Sequence, residues 1–292
     1  MTAGNNIWGN VSSIAQRVES DAIHVVREVN FLEPMITSFG EMTGANVRRG
    51  YKFDSVTVNQ VSDADDLVSQ TFTPSADQDL TPYEYAAQYF ITDTRAESML
   101  PENILNDAAV ELGLGAADLV MSHICGDFAS LTGGTVGAAG TAITFGYLAA
   151  AIAQARNVNN SASKPLVAVI HGYQAAVLQQ TASVAGATAR ADAPGFTQDM
   201  TVRGIGAAYA FTFDGVPVYQ VFQDPDGDVD FNGGVFPREA LAVDWRRRIK
   251  IEPQRDASRR GLELNMSFLY AHGVWRPDRG ISMVFDATAP TS

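Results

Sequence analysis

The spacing of apolar residues along the 292-residue chain predicts both helices and strands. Asn10–Glu28 has apolar residues on one helical face, and Pro101–Leu131 keeps the same spacing over a longer stretch. Pro101 suits the first turn of that helix, and a helix of about 30 residues spans about 45 Å. Gly113 and Gly115 lie inside it, and a glycine costs roughly 1 kcal/mol in a helix interior. We therefore expect a close crossing or a bend at these glycines.

Alternating side chains predict a strand over Tyr83–Ile91 and a weaker, outgoing strand over Phe53–Val61. Between Lys52 and Arg95 there are eight acidic residues and no basic one. A two-stranded ribbon of this length cannot bury its own faces and is marginal alone in water. The sequence therefore predicts a long acidic hairpin that must lie against something else.

The second half of the chain alternates between helix and strand patterns, which is typical of a compact α/β unit. The predicted helices are Phe145–Asn157 and Gly172–Ala185, and the predicted strands are Leu166–Ile170, Ala208–Phe213 and Val216–Phe222. Asp214-Gly215 between the last two predicts a type I′ hairpin turn. Residues Ala240–Phe285 read mostly as strand.

Composition indicates a globular chain with a substantial core. Hydrophobic residues make up 46% and charged residues 18%, which is below the roughly 25% of average soluble proteins. The net charge of −13 repels polyanions, so the chain as a whole is not expected to attract nucleic acid. The single cysteine, Cys125, excludes an intramolecular disulfide and a cysteine-based zinc cage.

No membrane association is expected. The uncharged stretch Phe128–Ala155 is long enough to cross a bilayer, but glycine, alanine and threonine dominate it. It is therefore interpreted as a loop followed by a helix. Met1–Asn10 carries no basic residue and no apolar run, so no signal peptide is expected.

The sequence contains few motifs that indicate catalysis or metal binding. Nucleophile-elbow, phosphate-loop and dinucleotide fingerprints are absent, so neither enzymatic activity nor a cofactor is expected. The weak metal candidate is an alternating set of carboxylates that would suit Ca²⁺: Asp224, Asp226, Asp228 and Asp230. The EF-hand register fails there, which favours a solvated acidic turn between strands.

A basic segment, Arg246–Arg260, carries seven cations against two acids. One interpretation is a nucleic-acid patch. However, Trp245, Arg247, Ile249 and Ile251 alternate as in a strand, and no aromatic stacking platform accompanies them. A structural or intersubunit partner for these charges is favoured.

The order of the predicted elements resembles that of the major capsid protein of tailed bacteriophages, which has the Johnson, or Hong Kong ninety-seven, fold. The residues that carry the likeness are Val25–Leu32, Leu166–Gly172, Asp214–Tyr219 and Ala271–Asp278. Each segment is weakly specific, but their order and spacing cover nearly the whole chain.

The resemblance implies an α+β capsid protein with an N-terminal arm, an extended β-hairpin loop, a peripheral domain with a long spine helix, and an axial α/β domain. The implied boundaries are 1–49 for the arm, 50–94 for the loop, 95–131 for the peripheral domain with the spine helix, 132–234 for the axial domain, and 235–292 for the C-terminal strands of the peripheral domain.

The implied function is structural rather than enzymatic. Copies of the chain would assemble as hexamers and pentamers into an icosahedral shell that encloses double-stranded DNA without sequence-specific binding. The shell would be a virion capsid assembled in the host bacterial cytoplasm. Separate scaffolding and portal proteins would be partners, and a decoration protein is left open. The alternatives are an encapsulin-type nanocompartment shell and a Ca²⁺-dependent enzyme or binding module that uses the Asp224–Asp230 loop.

The resemblance also implies how subunits contact each other. Some family members crosslink through a loop lysine, but Phe53–Thr94 contains none, so covalent crosslinks are not expected. In the family, the extended loop lies across the peripheral domain of a neighbour. The candidate intersubunit acids are therefore Asp63, Asp65, Asp66, Asp77 and Asp79, and the candidate cations are Arg246, Arg247, Arg248, Arg255, Arg259 and Arg260.

Overall fold

A computed structural model describes most of the chain. The described residues are 30–40, 47–53, 58, 60, 69, 74–98, 101–159, 164–184, 208–223 and 229–290. The helix predicted over Asn10–Glu28 and most of the strand predicted over Phe53–Val61 lie outside them.

The described residues form twelve strands and four α-helices. The strands are β1 (Thr37–Phe39), β2 (Arg48–Phe53), β3 (Pro74–Leu80), β4 (Tyr83–Thr92), β5 (Thr135–Gly137), β6 (Leu166–His171), β7 (Tyr209–Phe213), β8 (Val216–Val221), β9 (Asp230–Pro237), β10 (Leu241–Asp256), β11 (Gly261–Val274) and β12 (Ile281–Asp286). The helices are α1 (Asp93–Ser98), α2 (Pro101–Asp127), α3 (Phe145–Val158) and α4 (Gly172–Val184).

The first sheet has four strands in the order β1-β10-β11-β4. Strand β11 pairs antiparallel with both long neighbours, β10 and β4, while the short β1 pairs parallel with β10. Residues alternate between buried and half-buried along much of β11, because successive side chains point to opposite faces of a strand. One face of the sheet is therefore apolar along its length.

Helix α2 packs on that apolar face. Its buried residues recur every three or four positions, as a helix that faces a sheet requires, and they include Ala109, Leu112, Ala116, Val120 and Ile124. They share one core with Leu262, Leu264, Met266 and Phe268 of β11. The long helix predicted over Pro101–Leu131 is thus observed, with its last residues in a 3₁₀ turn, Phe128–Ser130.

The window Asp107–Ser130 is apolar and long enough to cross a membrane by length and composition, with a mean hydropathy of 1.3. Half of this window is buried inside the fold. A core helix passes the same test, so the window is weak evidence for a membrane span.

The second sheet has six strands in the order β5-β12-β9-β6-β8-β7. Helices α3 and α4 share a core with one of its faces. The Thr144 hydroxyl accepts a hydrogen bond from the Tyr147 amide at 3.3 Å and caps α3. The buried stripe of α3 has helical spacing: Leu148, Ala151, Ile152 and Ala155.

The two sheets are joined through a continuous core. Val169 and Phe236 of the six-stranded sheet belong to the core that contains α2, and Phe128 stacks on Phe236 with ring centroids 5.4 Å apart. Within the range 235–292, which the resemblance assigns to the peripheral domain, β12 pairs with β5 and β9 of the six-stranded sheet. Strand β9 also crosses the boundary predicted at residue 234.

The third sheet is a two-stranded hairpin of β2 and β3, with Arg48 opposite Leu80 and Phe53 opposite Pro74. The return strand predicted over Tyr83–Ile91 exists as β4, but it pairs with β11 and is not part of this hairpin. In this register Leu264, Met266 and Phe268 lie opposite Tyr89, Ala87 and Tyr85, so the apolar face of β11 continues onto β4.

Candidate intersubunit surfaces

The base of the β2–β3 hairpin is fixed to β10 by Asp244, a carboxylate that is fully buried. Arg48 Nη2 donates to Asp244 Oδ1 at 3.1 Å, and Arg48 Nε makes an ion-pair contact with Oδ2 at 3.0 Å. Arg246 Nε lies 2.9 Å from the same Oδ2, with only 6% of its side chain exposed. Two guanidinium groups therefore share one carboxylate away from water.

Apolar contacts surround this anchor on the sheet face opposite α2. A small cluster of three buried residues lies there: Leu80, Ala242 and Ala271. The guanidinium of Arg48 stacks 4.5 Å from the Phe39 ring centroid, and Phe39 meets Trp275 edge-on at 4.9 Å. A side chain at Gly50 would lie 3.1 Å from the Trp275 ring, so the strand approaches the indole closely.

The candidate acids of the hairpin are only partly described. Asp63, Asp65 and Asp66 lie outside the described residues, and Asp77 is placed in β3. Asp79 binds Arg49 across the hairpin, with Oδ1 and Oδ2 accepting at 2.9 and 3.0 Å. The hydrogen bonds lower the pKa of Asp79 and raise the pKa of Arg49. Asp79 therefore already has a partner within its own chain.

The first three candidate cations also have contacts within the chain. Arg246 belongs to the Asp244 anchor, and Arg247 is paired with Glu84 of β4. Arg248 lies over the Trp245 ring at 5.3 Å, and its Nη1 is 4.0 Å from Glu33 Oε1.

The other three cations lie at the β10–β11 turn, beside the end of β4. Arg255 binds the Asp93 carboxylate through two hydrogen bonds of 2.5 and 2.7 Å, which lower the pKa of Asp93 and raise the pKa of Arg255. Arg259 stacks 4.3 Å above the Phe90 ring. Arg260 adopts a left-handed φ of 49°, and its carbonyl accepts from the Asp93 amide at 2.9 Å. Contact of these cations with acids of another subunit remains a prediction.

An open cavity of about 350 Å³ lies between α2 and β4. It is lined mainly by apolar side chains from both elements and from β11, including Tyr85, Ala87, Leu112, Ala116, Met266 and Phe268. A close crossing is one of the two features expected at Gly113 and Gly115, the other being a bend; at Gly115 a Cβ would meet no atom of the described residues within 4 Å, so no close crossing is seen there. Strand β4 is at the edge of its sheet, and Tyr83 and Tyr89 are exposed. An unpaired edge beside an apolar groove is a natural contact surface.

The candidate calcium loop gains no support from the described residues. Asp224, Asp226 and Asp228 lie outside them. Asp230 begins β9, and its Oδ1 accepts a hydrogen bond from the Gly140 amide at 2.6 Å. Within the described ranges, no group of three or more histidine, cysteine, aspartate or glutamate side chains could hold a metal ion.

Four residues that bind the candidate cations or the hairpin were not among the residues predicted from the sequence: Arg48, Glu84, Asp93 and Asp244. A signal was present for Asp244, because it is the one charged residue in the run Leu241–Trp245. A single acid inside a buried strand pattern indicates a buried ion pair, since an unpaired buried charge is costly.

The sequence matches no family model, and no curated protein matches it. Solved structures do match. The capsid of cyanophage P-SCSP1u is similar with a TM-score of 0.63 and 15% identity over 87% of each chain. A chain of Mycobacterium phage Che8 has a TM-score of 0.59 and 18% identity over 85% of this chain and 86% of that one.

A third similar structure is the holo-SrpI encapsulin complex from Synechococcus elongatus, with a TM-score of 0.59 and 11% identity over 90% of each chain. The likeness covers at least 85% of this chain in all three cases. The chain therefore has the Johnson fold, the fold of tailed-bacteriophage capsid proteins.

Proposed function

We propose that this chain is the major capsid protein of a tailed bacteriophage and has no enzymatic activity. The observation that carries the proposal is the fold likeness to phage capsid chains, which extends over nearly the full length of both partners. The exposed edge of β4 and the adjoining groove support self-association.

The elements take the following roles in this proposal. The four-stranded sheet with α2 is the peripheral domain, and α2 is its spine helix. The six-stranded sheet with α3 and α4 is the axial domain, at the centre of hexamers and pentamers. The β2–β3 hairpin is the base of the extended loop, and residues 1–49 include the N-terminal arm.

The shell encloses double-stranded DNA without reading its sequence, which agrees with a net charge of −13 on the subunit. It forms in the host cytoplasm with a separate scaffolding protein and a portal protein and becomes the virion capsid.

The similarity to an encapsulin supports a second candidate, a nanocompartment shell around a protein cargo. The contents of the particle decide between the two. Packaged DNA with a portal at one vertex supports the phage capsid, and a protein cargo without DNA supports the nanocompartment.

Assembly itself is tested by analytical ultracentrifugation at micromolar concentration, followed by negative-stain microscopy. Capsomers or closed shells are expected. A stable monomer contradicts both shell proposals, and measurable Ca²⁺ affinity of such a monomer favours a binding module that uses Asp224–Asp230.

We also propose that the acids of the extended loop face cations at the β10–β11 turn of an adjacent subunit. Exposed ion pairs are worth only about 0–1 kcal/mol each, so such contacts act on docking and register more than on stability. Replacing Arg255, Arg259 and Arg260 with glutamate is expected to block or misdirect assembly.

The in-chain pair between Arg255 and Asp93 requires a matched control. The charge swap Arg255→Asp with Asp93→Arg preserves this pair but moves the cation from β10 to the start of helix α1. If position 255 must present a cation to a neighbour, the swap impairs assembly although the pair is intact. Normal shells from the swap and from the triple glutamate variant contradict the proposal.

A further inference from the structure

A cluster of titratable side chains joins α2 to β11 next to the apolar core. His123 and His272 stack face to face, with ring centroids 4.5 Å apart and an interplanar angle of 15°. His272 Nδ1 lies 2.9 Å from Asp127 Oδ2 on α2. On the other side of the stack, His123 Nδ1 is hydrogen-bonded to the Tyr270 hydroxyl of β11. Both histidines thus join the helix to the strand.

The direction of the Tyr270 bond follows from burial. Tyr270 is 0% exposed, and its pKa is raised well above the usual range, mainly by desolvation. Its hydroxyl therefore keeps its proton and donates it to His123 Nδ1, which must be the unprotonated ring nitrogen. Burial lowers the pKa of His123, the neighbouring His272 lowers it further, and Asp127 opposes this.

We propose that the His123–His272 stack is a pH-sensitive contact between α2 and β11, which loosens when His123 takes up a proton. The inference concerns the chain itself and does not depend on the proposed function.

The surrounding groups explain why a proton on His123 is unfavourable. Asp127 is the one carboxylate that contacts the pair among the described residues, so it can compensate one imidazolium but not two. Protonation of His123 at Nδ1 would make that nitrogen a hydrogen-bond donor. The Tyr270 hydroxyl would then have to rotate its own proton away and accept the bond instead. Two like charges 4.5 Å apart would also repel each other.

In the described part of the chain, groups on the other packed elements do not supply the missing negative charge. Strand β4 contributes Tyr85, whose ring is 5.4 Å from His123. Its neighbour Glu84 points to the opposite face of the sheet, where it is paired with Arg247. Strand β10 contributes the uncharged Trp245, and Glu33 behind it accepts from the indole N–H at 2.8 Å.

The sign of the pH effect follows from the lowered pKa of His123. The loosened state binds the proton more readily than the packed state, so acid favours loosening. The contact gives its full stabilisation of the packed state above about pH 6.5, the ordinary pKa of histidine, and this stabilisation weakens as the pH falls below that value. Val120, Ile124 and Phe128 hold the same part of α2 in the apolar core, so the expected change is local.

Hydrogen exchange of the full-length protein between pH 7.5 and 5.5, corrected for intrinsic rates, tests the proposal. Most carboxylates stay ionised in this window. One proton taken up on opening changes the opening constant by at most tenfold per pH unit, so peptides from residues 116–127 and 266–274 should exchange roughly three- to tenfold faster at the lower pH. A peptide from α3 should not change.

Two variants and a control make the result decisive. His123→Gln retains an acceptor for Tyr270 but cannot be protonated, and His272→Gln removes the other charge. Each is expected to abolish the acid-induced increase, so either one suffices if the other fails to fold. His24→Asn, outside the described residues, should leave the increase unchanged. An increase that persists in both glutamine variants, or that appears equally in α3, overturns the proposal.

Discussion

Removing the Asp244 carboxylate should destabilise the chain more than removing any exposed acid of the hairpin. In the variant Asp244→Ala, Arg48 and Arg246 lose their shared partner while both remain at least four-fifths buried. Breaking a buried ion pair by deleting one partner typically costs about 3–5 kcal/mol. Because the Arg48 side chain is 20% exposed and can reach water, we expect about 3 kcal/mol, the lower end of that range.

Urea unfolding of the dissociated chain measures this loss. With a slope of about 3 kcal/mol per molar, a loss of about 3 kcal/mol moves the midpoint by about 1 M. Asp79→Ala is the matched control, because it breaks an arginine–aspartate pair in the same hairpin with both side chains exposed. Its effect should be small. Equal midpoint shifts for the two variants would refute the argument from burial.

Three further predictions follow from local geometry and sequence. Gly137→Ala should lower the urea midpoint of unfolding more than Gly140→Ala does. Both positions have a positive φ, but only at Gly137 would a Cβ lie 2.4 Å from an aromatic carbon of β12. Equal decreases in the midpoint would contradict this. Shells should migrate as single chains on a reducing denaturing gel, because Phe53–Thr94 contains no lysine, and a ladder of covalent oligomers would show the opposite. Hydrogen bonding to Arg255 lowers the pKa of Asp93 below its ordinary value of 3.8, so the stabilisation from this pair is present above that value and is lost as the pH falls below it, through the lowered pKa. Arg255→Gln should therefore narrow the difference in unfolding free energy between pH 6 and pH 3, and an unchanged difference would count against the pair.

Elements whose signals are local could be predicted from the sequence. The helix predicted over Phe145–Asn157 is observed as α3, and the strand predicted over Leu166–Ile170 is observed as β6. Asp214 and Gly215 have φ of 49° and 74°, as the predicted type I′ turn requires. Apolar spacing and a turn dipeptide each act within a few residues, so no partner segment has to be known.

Strand partners could not be predicted in the same way. Tyr83–Ile91 is a strand, but its partner lies about 180 residues further along, in β11. Strand β12 likewise pairs with β5 and β9 rather than with the strands just before it in sequence. Pairing depends on which apolar faces continue each other across a sheet, and many registers satisfy the pattern of one strand alone.

The candidate site was harder to predict than the fold, because its contacts depend on side chains from distant segments. The basic segment was recognised, but the partners of Arg247 and Arg255 within the chain, Glu84 and Asp93, were not. Both acids belong to the stretch interpreted as an acidic hairpin. Once β4 is placed beside β11, these acids come next to the cations and neutralise part of the basic surface.

The ion pairs of Asp244 with Arg48 and Arg246 affect the orientation of the hairpin on the sheet more than they affect how strongly the hairpin is held there. Apolar burial has no preferred direction, and the apolar cluster under the hairpin has only three fully buried side chains in the described part of the chain. Charge-assisted hydrogen bonds from Arg48 fix both a distance and an angle, and the stack of Arg48 on Phe39 restrains the same side chain from a second side. A buried triad of charges contributes little stability compared with apolar residues of equal volume, so its value lies in the geometry that it imposes. The Asp244 carboxylate therefore restrains the angle at which the hairpin leaves the sheet, together with the hydrogen bond from Arg276 Nη2 to the Tyr51 carbonyl at 2.7 Å.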